Sequence, residues 1–148
     1  MSTTSKKNQE RYTRSLQAVH HFTHAFHAEE ARTLMHKMIR SAFAQKELLN
    51  KKDVCALLYL KDELAELIEA AGTLADHKKS SAALKKLFTR KNARQWIASL
   101  DVLFYAAVYD GLFTSPPADK DIYQTCRWFF KLIKICFDLR PENEPEII

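Results

Sequence analysis

WIASLDVLFYAAVYDG, residues 96–111, decides the fold. Its apolar residues Trp96, Ile97, Leu100, Leu103, Phe104, Ala107 and Val108 recur at offsets of three and four, which describes one face of a helix, and Asp110-Gly111 closes the pattern. Outward from this segment little forbids further helix. Only two glycines, Gly72 and Gly111, occur in 148 residues, and no proline precedes Pro116. Average usage is roughly 7% Gly and 5% Pro, and hairpins need such residues where φ is positive or an N–H is missing. The scarcity predicts an all-α protein: a single-domain, up-and-down helical bundle of five or six helices. A chain of this length buries roughly 68 to 70% of its unfolded surface and needs no staples.

Before residue 96 the helical period marks four segments. The first, from Gln9 to His27, carries Tyr12, Leu16, Val19 and Phe26 on one stripe. The second, from Glu29 to Leu48, has its stripe displaced by about a quarter turn, which suggests a break near His27 and Ala28 or, since no Gly or Pro stands there, one long bent helix. Asn50 followed by Asp53 reads as an N-cap with an acid at N3, opening a third helix with Val54, Leu57, Leu58, Leu64, Leu67, Ile68 and Ala71 on its buried face. Gly72 is expected to close it in the left-handed conformation. A shorter amphipathic helix runs from Asp76 to Phe88.

After residue 111, Thr114-Ser115-Pro116-Pro117 reads as a rigid connector to a last helix, capped by Asp119 or Asp121 and ended by Pro141. That helix is apolar nearly all round. Ile122, Cys126, Phe129, Phe130, Ile133 and Phe137 make one stripe, and Trp128, Leu132, Ile135 and Leu139 make a second. The second stripe is expected to be covered within the bundle or by another subunit in a homodimer. The domain reading is a flexible N-terminal arm over 1–8, the bundle over 9–140 and an acidic tail over 141–148.

Formal net charge is +5, unevenly distributed. Between His77 and Leu100 there is no acid, while Lys78, Lys79, Lys85, Lys86, Arg90, Lys91 and Arg94 put seven cations there. Asp62, Glu63, Glu66 and Glu69 form an acidic run. A cation-rich helix face is the usual way an amphipathic helix meets water. One without interspersed acids, continuing into the next helix, also offers a surface to phosphates or acidic side chains. No helix-turn-helix signature, zinc finger or RNA-recognition motif accompanies it, so nucleic-acid binding here would be driven by phosphates. The leading expectation is a non-enzymatic binding or regulatory module whose partner is nucleic acid, another polyanion or an acidic protein.

Other constellations point elsewhere. His20, His24 and His27, spaced four and three apart, form a ladder on one flank of the first helix, the geometry of helical metal ligands, and helix-flank histidines are commonly solvated or hydrogen bonded. No Glu or Asp has a histidine three residues later, as carboxylate-bridged di-iron bundles require, and no cofactor is implied. Arg14 and His20 have an R-x5-H spacing that resembles the higher-eukaryote and prokaryote nucleotide-binding ribonucleases, an all-α family. The resemblance covers these two residues. It implies RNA cleavage with His20 as general acid or base and Arg14 stabilising the phosphorane charge.

Asp62, Glu66 and Glu69 are expected to balance the seam Arg127, Lys131 and Lys134 if their helices are neighbours. Three cysteines without a C-x-x-C pair, Cys55, Cys126 and Cys136, read as buried, reduced thiols of a cytoplasmic protein. The N-terminus lacks the apolar core of a signal peptide, and Lys131 and Lys134 interrupt the most apolar stretch, so no membrane partner is expected.

Overall fold

The computed structural model describes residues 2–44, 49–77, 80–108 and 120–139, with side chains over 6–43, 49–77, 80–108 and 124–139. Within them the chain forms six helices and no strand: α1 (Ser2–Ala25), α2 (Ala28–Ala44), α3 (Lys51–Ala75), α4 (Ala82–Arg90), α5 (Ala93–Val108) and α6 (Lys120–Asp138). The all-α expectation is met. None of these helices is long and apolar enough to cross a membrane. The Asp110-Gly111 closure, the 114–117 connector, the caps offered by Asp119 and Asp121, and the acidic tail lie outside the described residues.

Local chemistry sets most boundaries. Asn50 accepts from the Asp53 backbone N–H at 2.8 Å while the Asp53 carboxylate accepts from the Asn50 N–H at 3.2 Å, a reciprocal capping box that opens α3. The same device recurs at α5, where Asn92 and Gln95 exchange backbone-to-side-chain bonds of 2.9 Å in both directions. Ser81 caps α4 by accepting from the Leu84 N–H. That start is later than Asp76, because the chain bends at Asp76 and His77 and turns helical only after Ser81. Between α1 and α2 the helix breaks at Phe26 and His27, as the shifted stripe predicts, and the His27 carbonyl accepts the first bond of α2. At the N-terminus α1 already takes in residues 2–8, which the sequence reading set apart as an arm.

Gly72 does not end α3. The helix runs through it to Ala75 and is closed by Asp76 in right-handed geometry. The glycine instead permits a close approach. A methyl group on Gly72 would sit 3.2 Å from Ala93 Cβ and 3.3 Å from the Phe88 ring, so the missing side chain lets the ends of α4 and α5 press on α3.

The main pairings join helices separated in sequence, α1 with α3, α2 with α5 and α3 with α5. Helix α6 lies against α2, α4 and α1. Phe22, Met35, Met38, Leu64, Ile68, Leu100, Phe129, Leu132 and Ile133 fill the common core. Trp96 is its junction, fully buried with its ring 5.2 Å from Phe129, 6.1 Å from Trp128 and 6.2 Å from Phe88. The Trp96 indole N–H donates to the Leu87 carbonyl, satisfying its one polar atom.

One expectation about burial is corrected, and for one helix stripe the first of two alternatives is largely met. Leu58 and Cys55 are exposed, because at 100° per residue both fall on the side of α3 opposite Leu57, Leu60, Leu64 and Ile68. The second stripe of α6 is largely covered within the chain. Leu132 is fully buried, and Trp128, Ile135 and Leu139 are half-buried against the core. Of the four residues read as a homodimer interface, Trp128 carries Arg90 of α4.

Candidate cationic surface

Helix α4 is short and strongly amphipathic, anchored by Leu84 and Leu87, and turns Lys85, Lys86 and Arg90 outward. Arg90 lies over the Trp128 ring of α6, its guanidinium carbon 4.7 Å from the centroid. This cation–π contact keeps the charge at the surface while fixing where it stands. Lys91 donates to Ser99 Oγ at 3.3 Å. Arg94 is exposed and lines a cleft that Glu69 and Asp76 also line. Lys78 and Lys79 lie outside the described residues.

Helix α6 contributes what the run of cations in sequence did not reveal. Arg127, Lys131 and Lys134 are exposed along one seam. On the flank toward α4, Trp128 carries Arg90. On the flank toward α2, Phe130 carries the His36 ring at 4.4 Å. The signal was present as the spacing Arg32, His36, Arg40, an i, i+4, i+8 row on α2 whose residues are all exposed. Nothing local tied that row to α6.

The acids read as partners of the α6 seam are elsewhere. Asp62, Glu66 and Glu69 are exposed on α3, which packs with α1, α5, α2 and α4 rather than along α6, so that expected pairing is not made. The ion pairs are local to other junctions. Lys37 Nζ meets Asp53 at 2.7 Å, between α2 and the cap of α3, and Lys61 Nζ meets Asp101 at 3.1 Å, between α3 and α5. His21 approaches Glu63 at 3.2 Å. The Lys37 ammonium, with the Asn50 N–H, holds the Asp53 carboxyl below its ordinary value.

The histidine ladder is dispersed. The His24 ring bonds the His20 carbonyl at 2.7 Å, and His27 lies beyond the end of α1, exposed. Among the described residues no three His, Cys, Asp or Glu side chains gather as a metal-ligand set. Arg14 and His20 also fail to converge. Six residues of helix separate them by roughly 9 Å along the axis and 120° around it, and Arg14 lines a shallow groove with Glu10 and Gln17.

The thiols divide. Burial pushes Cys126 up to about 11 and Cys136 up to about 12, so neither forms a nucleophilic thiolate near neutral pH. Cys55 faces solvent. Cys126 also lines a small apolar cleft of about 170 Å³ with Val102, Leu103 and Phe129, between α5 and α6. Compared with known proteins, the chain matches no family model, no curated protein and no solved structure.

Proposed function

We propose that this protein is a binding or regulatory module that engages polyanions through the exposed cations of α4, with Lys85, Lys86 and Arg90 at the centre and Lys78, Lys79, Lys91 and Arg94 as the flanking charges of the same stretch. One observation carries the reading: the sequence holds no carboxylate between His77 and Leu100, and Lys85, Lys86 and Arg90 all stand outward. The mechanism is charge complementarity with release of condensed counterions. Each phosphate neutralised steepens the salt dependence of binding by about 0.9 in log units.

The test is retention on immobilised heparin, together with a fluorescence titration against a polyphosphate chain, at about 50 and 200 mM salt. Binding at low salt that falls steeply at high salt, with a salt slope reduced by about 1.8 in Lys85→Glu/Lys86→Glu, supports the reading. Absence of binding to both polyanions at low salt ends it.

A further inference from the structure

The three helices α4, α6 and α2 lie side by side, α6 in the middle, and the angular order of residues around α6 shows how their charges combine. Taking Trp128 as the origin at 100° per residue, Lys131, Arg127 and Lys134 follow within the next 120° and Phe130 comes next. Phe129, Cys136 and Ile133 occupy the opposite, buried side. The exposed seam of α6 is thus bounded by two half-buried aromatic rings. Arg90 of α4 rests on one and His36 of α2 on the other. Lys86 lies one turn before Arg90 on α4, and Arg32 and Arg40 lie one turn to either side of His36 on α2.

The direction of α2 against α6 follows from the rings. Phe137 meets Phe22 near the end of α1, where α2 begins, while Phe130 meets His36. The two helices are therefore antiparallel. Glu29 and Glu30, which open α2, and Asp138, which closes α6, consequently fall together at the end of the face remote from α4. Elsewhere on the face the exposed charged side chains among the described residues of these three helices are Lys86 and Arg90, then Arg127, Lys131 and Lys134, then Arg40, with the His36 imidazole and the Gln124 amide exposed among them.

We infer that this three-helix face binds double-stranded nucleic acid, along its phosphate backbones and without base-specific readout. The inference rests on the polyanion reading above and goes further in naming the occupant and the two helices that complete the surface. Packed helices lie about 8–10 Å apart, so the outer cations of α4 and α2 are separated by two such spacings. That is wide enough for them to reach the two phosphate rows bordering a major groove about 12 Å across, with the α6 seam between them. A single strand is the poorer fit. Sequence-tolerant binding of single strands relies on exposed aromatic rings as stacking platforms. Among the described residues, Trp128 and Phe130 are covered by Arg90 and His36, and the exposed aromatics Tyr59 and Tyr105 belong to α3 and α5.

The experiment is a fluorescence anisotropy titration of the full chain with a mixed-sequence DNA duplex, an RNA duplex of the same length, the single strands, and polyglutamate. Lys85→Glu/Lys86→Glu and Arg127→Glu/Lys131→Glu/Lys134→Glu are compared with wild type. A duplex bound tighter than its single strands, with the α6 triple variant weakening it and lowering the salt slope by about 2.7 and Lys131→Arg/Lys134→Arg retaining it, supports the inference. All five positions are exposed, and circular dichroism confirms that the variants keep the helical fold. Duplex binding lost in the α4 variant but untouched by the α6 variant overturns it and leaves the polyanion reading standing. So does tighter binding of single strands, or binding of polyglutamate alone. No binding to any of these probes or to heparin ends both.

Discussion

Helices α3 and α6 both carry a charged stripe opposite a long apolar one, yet the bundle treats them differently. Helix α3 is flanked by α1 and α5 and keeps a broad outer face on which Asp62, Glu66 and Glu69 stand with Cys55, Leu58 and Tyr59. Helix α6 is flanked by α2 and by α4 and α1, so its open face narrows to Arg127, Lys131 and Lys134 between two covered tryptophan and phenylalanine rings. Because the two helices do not pack along each other, their opposite charges cannot cancel. The polarity visible along the sequence becomes a polarity of faces, and the cationic one gains its extent from neighbours.

The largest perturbation of this comparison comes from Trp96, where α5 meets α4 and α6. Trp96→Ala is expected to lower stability in urea unfolding by about 3–5 kcal/mol. Hydrogen exchange in the variant should rise more in α4 and α6 than in the α1 and α3 pair, since the indole packs on the Phe88, Trp128 and Phe129 rings and donates to Leu87, all on α4 and α6. Equal loosening of all helices would show that the two sides are not separable.

The thiols sharpen the contrast without a mutation. Cys55, on the open face of α3, should react with a disulfide reagent within seconds to minutes, while Cys126 and Cys136, on the inner side of α6, react only on unfolding. For Cys136, raised from 9.0 to about 12, the thiolate fraction alone falls on the order of a thousand-fold.

Gly72→Val tests the close approach of α3 to the start of α5. The larger side chain gains helix propensity but meets Ala93 and Phe88, and we expect a net loss of roughly 1–3 kcal/mol from overpacking. A stabilised variant would show that the helices can part at no cost.

The smallest effect is at the N-terminal cap of α3. Asn50→Ala should cost about 1 kcal/mol. The Asp53 carboxyl is lowered in the folded state by Lys37 and the Asn50 N–H, so its contribution is present above its unfolded value near 3.8 and is lost as pH falls through the folded one. Wild-type stability should therefore drop more between about pH 5 and pH 3 than that of Asp53→Asn.

Much of the architecture was legible. The break at His27 showed as a shifted stripe, and the Asn50–Asp53 box as a capping pattern. The exposure of Leu58 and Cys55 was also legible in principle, since 100° per residue puts both away from Leu57 and Leu64, but the segment's high apolar content masked it. The candidate surface was legible only in part. Lys85, Lys86 and Arg90 appear as a run, whereas Arg127, Lys131 and Lys134 read as a thin polar seam on a core helix, and Arg32, His36 and Arg40 as ordinary solvent-facing positions.

From the amino-acid order alone follow the helical class, the shift in stripe at His27, the α3 cap and the acid-free cation stretch, because each arises from residues within a few turns of one another. Only the tertiary structure decided that Gly72 serves packing rather than termination, that Leu132 is covered by its own chain, and that α6 stands between Arg90 and His36. Those facts depend on which distant side chains fill the same space, and helical periodicity sets which way a residue points from its own axis without setting which helix it points at.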